Sequence, residues 1–134
     1  MAAVPEIFEQ RLKVEKTHLD EQNHVNNVQY VQWVQDVAKA HWESRAPQEY
    51  QEKYFWLVVR HEIDYKQQAF LNEEILLQTY VSETSHVKSL RHVIIKNAKT
   101  KKVLVEAKTT WALIDKVTQK PSKIDKDLIK IFEQ

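Results

Sequence analysis

Asp20-Glu21-Gln22-Asn23-His24-Val25-Asn26-Asn27 stands directly ahead of an amphipathic run that begins near Val28, and its reading decides the fold. The eight residues put two carboxylates, one imidazole and four side-chain amides side by side. Asn is a strong helix N-cap, so a helix is predicted to start at Asn26 or Asn27. A helix start offers unpaired backbone N–H groups and the positive end of a macrodipole. A carboxylate a few residues upstream, Asp20, can fold back beside those donors. A carboxylate next to oriented N–H groups is equipment for attacking a carbonyl and holding the oxyanion that forms.

Working outward from this stretch, residues 27–44 place Tyr30, Trp33, Val34, Val37, Ala38, His41 and Trp42 at helical intervals of three and four. The spacing predicts a helix about 27 Å long, ending near Pro47. Upstream, residues 7–16 carry Phe8, Leu12 and Val14 in partial alternation and read as a first strand, and residues 17–26 as a polar loop. Downstream, strands are predicted over residues 54–69, 74–83, 86–97 and 102–115. In the last, Val103, Val105, Ala107, Thr109, Trp111 and Leu113 share one face. Residues 70–73 read as a turn and 97–101 as a polar hairpin. Ile124, Leu128, Ile129 and Phe132 suggest a short final helix after Pro121. One strand, a long helix and four consecutive strands suit an antiparallel sheet wrapped around the helix, an α+β arrangement. Such a sheet has one uncovered face and two edges, so self-association is the expected remedy.

At 134 residues the chain has room for one domain, residues 1–134. A net charge of +1 with scattered basic residues gives no electrostatic footprint for nucleic acid. No apolar run approaches the roughly 20 residues of a membrane span. Residues 1–14 lack the pattern of a signal peptide, and a cytoplasmic location is the default reading. The absence of Cys excludes disulfides, thiolate metal sites and a Cys nucleophile. There is also no Gly, where average usage of about 7% would supply roughly nine. Phosphate-binding Gly-rich loops are therefore excluded. Positions needing positive φ must use other residues, with Asn23, Asn72 and Asn97 the natural candidates.

The sequence Asp20, His24-Val25-Asn26-Asn27, Tyr30 resembles the D-x-x-G-H-V-N-N-x-x-Y motif of hotdog-fold thioesterases of the 4-hydroxybenzoyl-CoA thioesterase type. With Trp33 included, it is similar to the D-x-N-x-H-V-N-N-x-x-Y-x-x-W pattern of acyl-ACP thioesterases. Ile63-Asp64-Tyr65 and the following Gln68 to Glu73 resemble that family's strand and P-A-x-x-G-D turn; Val103 to Asp115 resembles its last strand. The resemblance covers about residues 5 to 130. The sequence departs from the pattern in places. Asn23 and Asn72 replace glycines, Gln22 replaces an Asn, and Gln68 occupies the position of a Glu proposed as a base.

The resemblance implies a hotdog fold and hydrolysis of an acyl-CoA or acyl-ACP thioester by a homodimer or homotetramer, with no metal and no cofactor. It implies a site between protomers. Asp20 is then the base or nucleophile, and its bland alternative is a loop cap. His24 assists Asp20, the thioester oxygen or the leaving thiolate, or else pins the loop. Asn27 supplies an oxyanion donor through its backbone N–H, while Asn26 caps the helix beside the substrate. Tyr30 lies along the substrate path or in the core. Gln68 positions water from a neighbouring strand. Trp33, Trp42, Phe55 and Trp56 are core or acyl-pocket residues. Lys96, Lys99, Lys101 and Lys102 form a solvated turn or meet CoA phosphates or an acidic carrier. The remaining histidines lack metal-ligand spacing. Two other functions fit the same fold: an acyl dehydratase, whose His-Phe-Pro-like motif is missing, and a non-catalytic acyl-CoA-binding module.

Overall fold

In the computed structural model, which describes residues 4–134, five strands form one antiparallel sheet around a long helix. The elements are β1 (Phe8–Lys13), α1 (Asn27–Arg45), α2 (Gln48–Lys53), β2 (Tyr54–Tyr65), β3 (Glu74–Ser85), β4 (Lys88–Asn97), β5 (Val103–Asp115) and α3 (Lys126–Lys130). A single 3₁₀ turn, Lys16–His18, follows β1. The strand order is β1-β3-β4-β5-β2, so β1 and β2 are the two edges. Register slips at Val58/Arg60, Val81/Glu83 and Ile95/Lys96 mark local irregularities. Such irregularities bend a sheet and increase its twist.

The seven apolar-face residues expected of α1 are its buried residues: Tyr30, Trp33, Val34, Val37, Ala38, His41 and Trp42. The first half of the helix packs with Ile75, Leu77, Val93, Ile95 and Val105 on the sheet. Each such aliphatic side chain contributes roughly 1.5–3 kcal/mol on leaving water. The second half meets Tyr54, Leu113 and the C-terminal Ile124, Leu128 and Phe132. Asn26 Oδ1 accepts from the Val28 N–H at 3.0 Å and caps the helix start. At the other end Ala46 is extended (φ −74°, ψ 133°), as the residue before Pro47 must be. The Gln51 amide then donates to the Glu43 and Ala46 carbonyls at 3.2 and 2.9 Å, satisfying acceptors that a helix end leaves open.

Several expected boundaries move. The first strand is shorter than residues 7–16, because the chain turns at Lys16–His18. The second strand stops at Tyr65 rather than residue 69; the Lys66 and Gln67 N–H groups both turn onto the Leu104 carbonyl, at 2.8 and 3.1 Å. Helix α2 was not expected, and its charged sequence gives no apolar stripe to reveal it. Positive φ occurs at Asn23 (63°), Asn72 (69°), His86 (52°), Lys101 (66°) and Gln119 (60°). Asn97 is not among them. Its Oδ1 instead accepts from the Lys99 and Thr100 N–H groups, both at 3.0 Å, and the left-handed step falls on Lys101. The expected reading of residues 1–14 extends beyond the described residues at its first three positions.

Candidate active site

The stretch around Asp20 folds as a small hairpin that delivers the chain to α1. Leu19 and Val25 form a β-bridge. The Asp20 N–H donates to the His24 carbonyl at 2.8 Å and the Asn26 N–H to the His18 carbonyl at 2.9 Å. Asn23 sits at the tip with φ 63°, a conformation its short polar side chain tolerates. Asp20 and His24 thus face each other across the turn, and Asn26 and Asn27 follow on the returning arm.

Asp20 is half-buried. Its Oδ1 accepts from the Gln22 N–H at 2.8 Å and the His24 N–H at 3.2 Å, which fixes the carboxylate to its own turn. Among the described residues, Oδ2 makes no hydrogen bond. Asp20 therefore has one structural oxygen and one available oxygen. His24 is also half-buried. Its ring packs edge-on against Phe70, with centroids 5.4 Å apart, and its link to Asp20 runs through the backbone N–H rather than the imidazole.

At the helix start, Asn26 Oδ1 takes the Val28 N–H, and the Gln29 N–H bonds to the Asn26 carbonyl at 2.8 Å. The Asn27 N–H has no partner among the described residues, so it is the open donor at the positive end of α1. The Asn26 side chain is spent on the cap.

Tyr30 is 2% exposed and belongs to the core. Its hydroxyl accepts from the Ala69 N–H at 3.0 Å, and the Ala69 carbonyl accepts from the Val25 N–H at 3.2 Å. Burial raises its phenol above the ordinary tyrosine range. Tyr30 therefore ties α1 and the hairpin to the segment after β2. Glu73 braces the same segment: Oε1 accepts from the Phe70 N–H at 2.6 Å and Oε2 from the Asn97 amide at 2.8 Å. Sequence reasoning had placed Glu73 only in a turn motif.

Gln68 requires a correction. It lies on no strand: β2 has ended, and Gln68 is exposed in the connecting segment beside buried Ala69. Trp33 is core, whereas Trp42, Phe55 and Trp56 line a cleft of about 480 Å³ between α1 and the β2 side of the sheet. Lys96 stands on β4, and Lys99, Lys101 and Lys102 are exposed around the following turn. Among the described residues, no three His, Asp or Glu side chains converge to hold a metal ion. Among the described residues, no helix is long and apolar enough to cross a membrane.

The model of the acyl-ACP thioesterase N-terminal domain matches residues 5–132, nearly the whole chain. The chain belongs to that family. It is a thioester hydrolase with the hotdog fold. Solved structures agree on the fold. YbaW of Escherichia coli, a probable thioesterase, superimposes with a TM-score of 0.81 at 21% identity, over 94% of this chain and 98% of that one. Slr0204 of Synechocystis, a 1,4-dihydroxy-2-naphthoyl-CoA thioesterase, gives 0.82 at 16% identity, over 95% and 96%. An acyl-ACP thioesterase from Bacteroides thetaiotaomicron gives 0.77 at 22% identity, covering 87% of this chain but 49% of that one. This thioesterase therefore spans about half the length of the Bacteroides enzyme. A search of curated protein sequences returns no match.

Proposed function

We propose that this thioesterase hydrolyses acyl-CoA or acyl-ACP at the Asp20 hairpin, using Asp20 as the attacking group and the Asn27 N–H as the oxyanion donor. One observation carries the reading: Asp20 keeps Oδ2 free while two backbone N–H groups hold Oδ1 in place. A carboxylate anchored in this way presents one oxygen with little freedom to swing, which favours a defined line of attack. The thioester oxygen rests on the Asn27 N–H, where the helix dipole adds to the hydrogen bond. Oδ2 either adds to the carbonyl carbon itself or takes a proton from a water that does. Collapse of the tetrahedral centre breaks the carbon–sulfur bond and releases the thiolate, to which His24 can relay the proton taken from water; where Oδ2 has added directly, water then hydrolyses the Asp20 mixed anhydride and frees the acid. Gln68 is exposed beside this hairpin and is free to touch the substrate arm. A role for it as a fixed water carrier has no strand beneath it.

The chain works as a homodimer joined along β2 in this reading. Strand β2 is an edge of twelve residues against six in β1, and it exposes Leu57 (52%) and Val59 (49%). A long edge with apolar side chains is a template for pairing. A tetramer would need a further interface on the sheet.

Asp20→Asn tests the mechanism. It keeps an oxygen for the Gln22 and His24 N–H groups, so the fold should hold while the attacking oxygen is lost. Removing one oxyanion donor in other enzymes costs roughly a hundred- to a thousand-fold, and loss of the attacking group should cost at least as much. Release of free thiol from a panel of acyl-CoAs and acyl-ACPs is the assay. Normal turnover by a folded Asp20→Asn protein would overturn the assignment, and tight binding without thiol release by the wild type would favour the binding-module alternative.

A further inference from the structure

The cleft between α1 and the β2 side of the sheet holds polar groups that the hydrolytic hairpin does not use. Arg91, on β4, lines it and is 5% exposed. Its Nη1 donates to His41 Nδ1 at 2.9 Å and to Thr79 Oγ1 at 3.0 Å. Its guanidinium carbon sits 5.1 Å above the Phe132 ring. All three neighbours are neutral. Because arginine only donates, His41 Nδ1 must be the acceptor; the ring proton is then on Nε2, which donates to Glu6 Oε1 at 2.7 Å. Arg91 forms no ion pair among the described residues. A buried cation without a counter-charge is costly to keep. Burial brings the guanidinium down to about 9, still charged at neutral pH.

Two more donors are unused in the walls of the same cleft. The indole N–H groups of Trp56 and Trp111 are buried and have no hydrogen-bond partner among the described residues. Buried donors without partners are rare in folded proteins and call for an explanation. The carboxylates at the cleft rim are engaged elsewhere: Asp36 accepts from the Gln32 amide at 2.8 Å, and Glu43 lies 3.9 Å from the Lys39 ammonium. The cleft thus combines aromatic walls with one buried cation that no carboxylate touches, two exposed lysines, Lys39 and Lys116, and two idle N–H donors.

We propose that this cleft receives the far end of an acyl group that carries a carboxylate, with Arg91 as its counter-charge and the indole N–H groups of Trp56 and Trp111 as supporting donors. The preferred thioesters are then those of dicarboxylic acids, in which one carboxyl is the thioester and the other is free. Assigning the carboxylate to an acyl tail rests on the thioester-hydrolase reading above. The charge requirement of the cleft stands on its own geometry.

Three of the four tryptophans (Trp42, Trp56 and Trp111) line the cleft, so intrinsic fluorescence reports what enters it. The probes are decanoate and methyl decanoate, which share a chain and differ in charge. The wild type should bind decanoate about 10- to 100-fold tighter, the range of a desolvated charge-assisted hydrogen bond. Arg91→Met should cut that preference to within about threefold. Replacing a buried charge by an apolar side chain of similar length is often tolerated, and circular dichroism checks the fold. If Arg91→Met does not fold, the pair Trp56→Phe and Trp111→Phe decides, since it keeps an aromatic side chain at each site and removes the N–H groups; it should lower the preference several-fold, read there by calorimetry. The kcat/KM ratio of the decanedioyl mono-CoA thioester to decanoyl-CoA should fall in parallel. Equal binding of acid and ester by the wild type, or an undiminished preference in the variants, would overturn the proposal. Decanoate contains no thioester, so the titration reads the cleft even if nothing is hydrolysed. Asp20-dependent hydrolysis with no acid preference would leave the hydrolase reading intact and remove this one alone.

Discussion

Acidification should destabilise the protein, and the fully buried His41 is a large part of the reason. The side chain is 0% exposed, stacks on Phe8 at 5.0 Å and lies between Glu6 and Arg91. Burial first, and the neighbouring Arg91 charge second, hold its pKa down to about 4 from the ordinary 6.5, against the pull of Glu6. A second proton would have to go on Nδ1, the atom that accepts from Arg91. The sign follows from linkage. In the unfolded chain His41 gains its proton near pH 6.5, while in the folded protein it resists until about pH 4. Between those values the unfolded state binds more protons, so stability falls as pH falls. Full stability from this group is present above pH 6.5. The loss between pH 6.5 and about 4.5 amounts to about 2 kcal/mol, from 1.36 kcal/mol per pKa unit and the population of each form. Urea unfolding at several pH values, on wild type and His41→Gln, measures it. Gln can still donate to Glu6 and cannot be protonated, so its stability should fall by about 2 kcal/mol less across the window. Parallel curves for the two proteins would refute the reasoning.

Tyr30→Phe strands the buried Ala69 N–H and should cost about 1–3 kcal/mol in chemical denaturation. It should also lower thiol release by loosening the segment that packs on His24. Asn26→Ala removes the cap of α1 and should cost about 1 kcal/mol, read as a drop in Tm. Lys101→Gly removes the steric cost of a left-handed lysine and should raise stability by roughly 1 kcal/mol, measured by the same denaturation. Charges introduced at Leu57 and Val59 should shift the protein to a monomer in analytical ultracentrifugation; an unchanged mass would exclude β2 as the joint.

The helix and the sheet were legible because their residues repeat. The three- and four-residue spacing from Tyr30 to Trp42 matches the buried face of α1, and the alternation from Val103 to Leu113 tracks β5. Boundaries set by single hydrogen bonds were not. Nothing in the sequence says that Lys66 and Gln67 turn onto Leu104, so β2 was read too long and Gln68 was placed on a strand. The left-handed step at Lys101 was hidden for a similar reason: Asn97 uses its side chain to make the turn and leaves the strained backbone to a residue with no preference for it. The Asp20 motif marked the hairpin, but not which carboxylate oxygen is committed to the turn. The Arg91 cleft was invisible, since Arg91, Trp56 and Trp111 come from three strands and share no sequence pattern.

The strand order has a further consequence, for how the chain acquires its shape. The two edge strands are the first two made. β1 waits for β3, and β2 stays without a neighbour until β5, when Tyr54 meets Asp115. Such distant pairing carries a loop-closure penalty and slows folding. Meanwhile α1 has already emerged with its greasy stripe and no sheet to receive it. During synthesis the nascent chain is therefore most vulnerable to clumping after β2 has appeared and before β3 and β4 offer a surface.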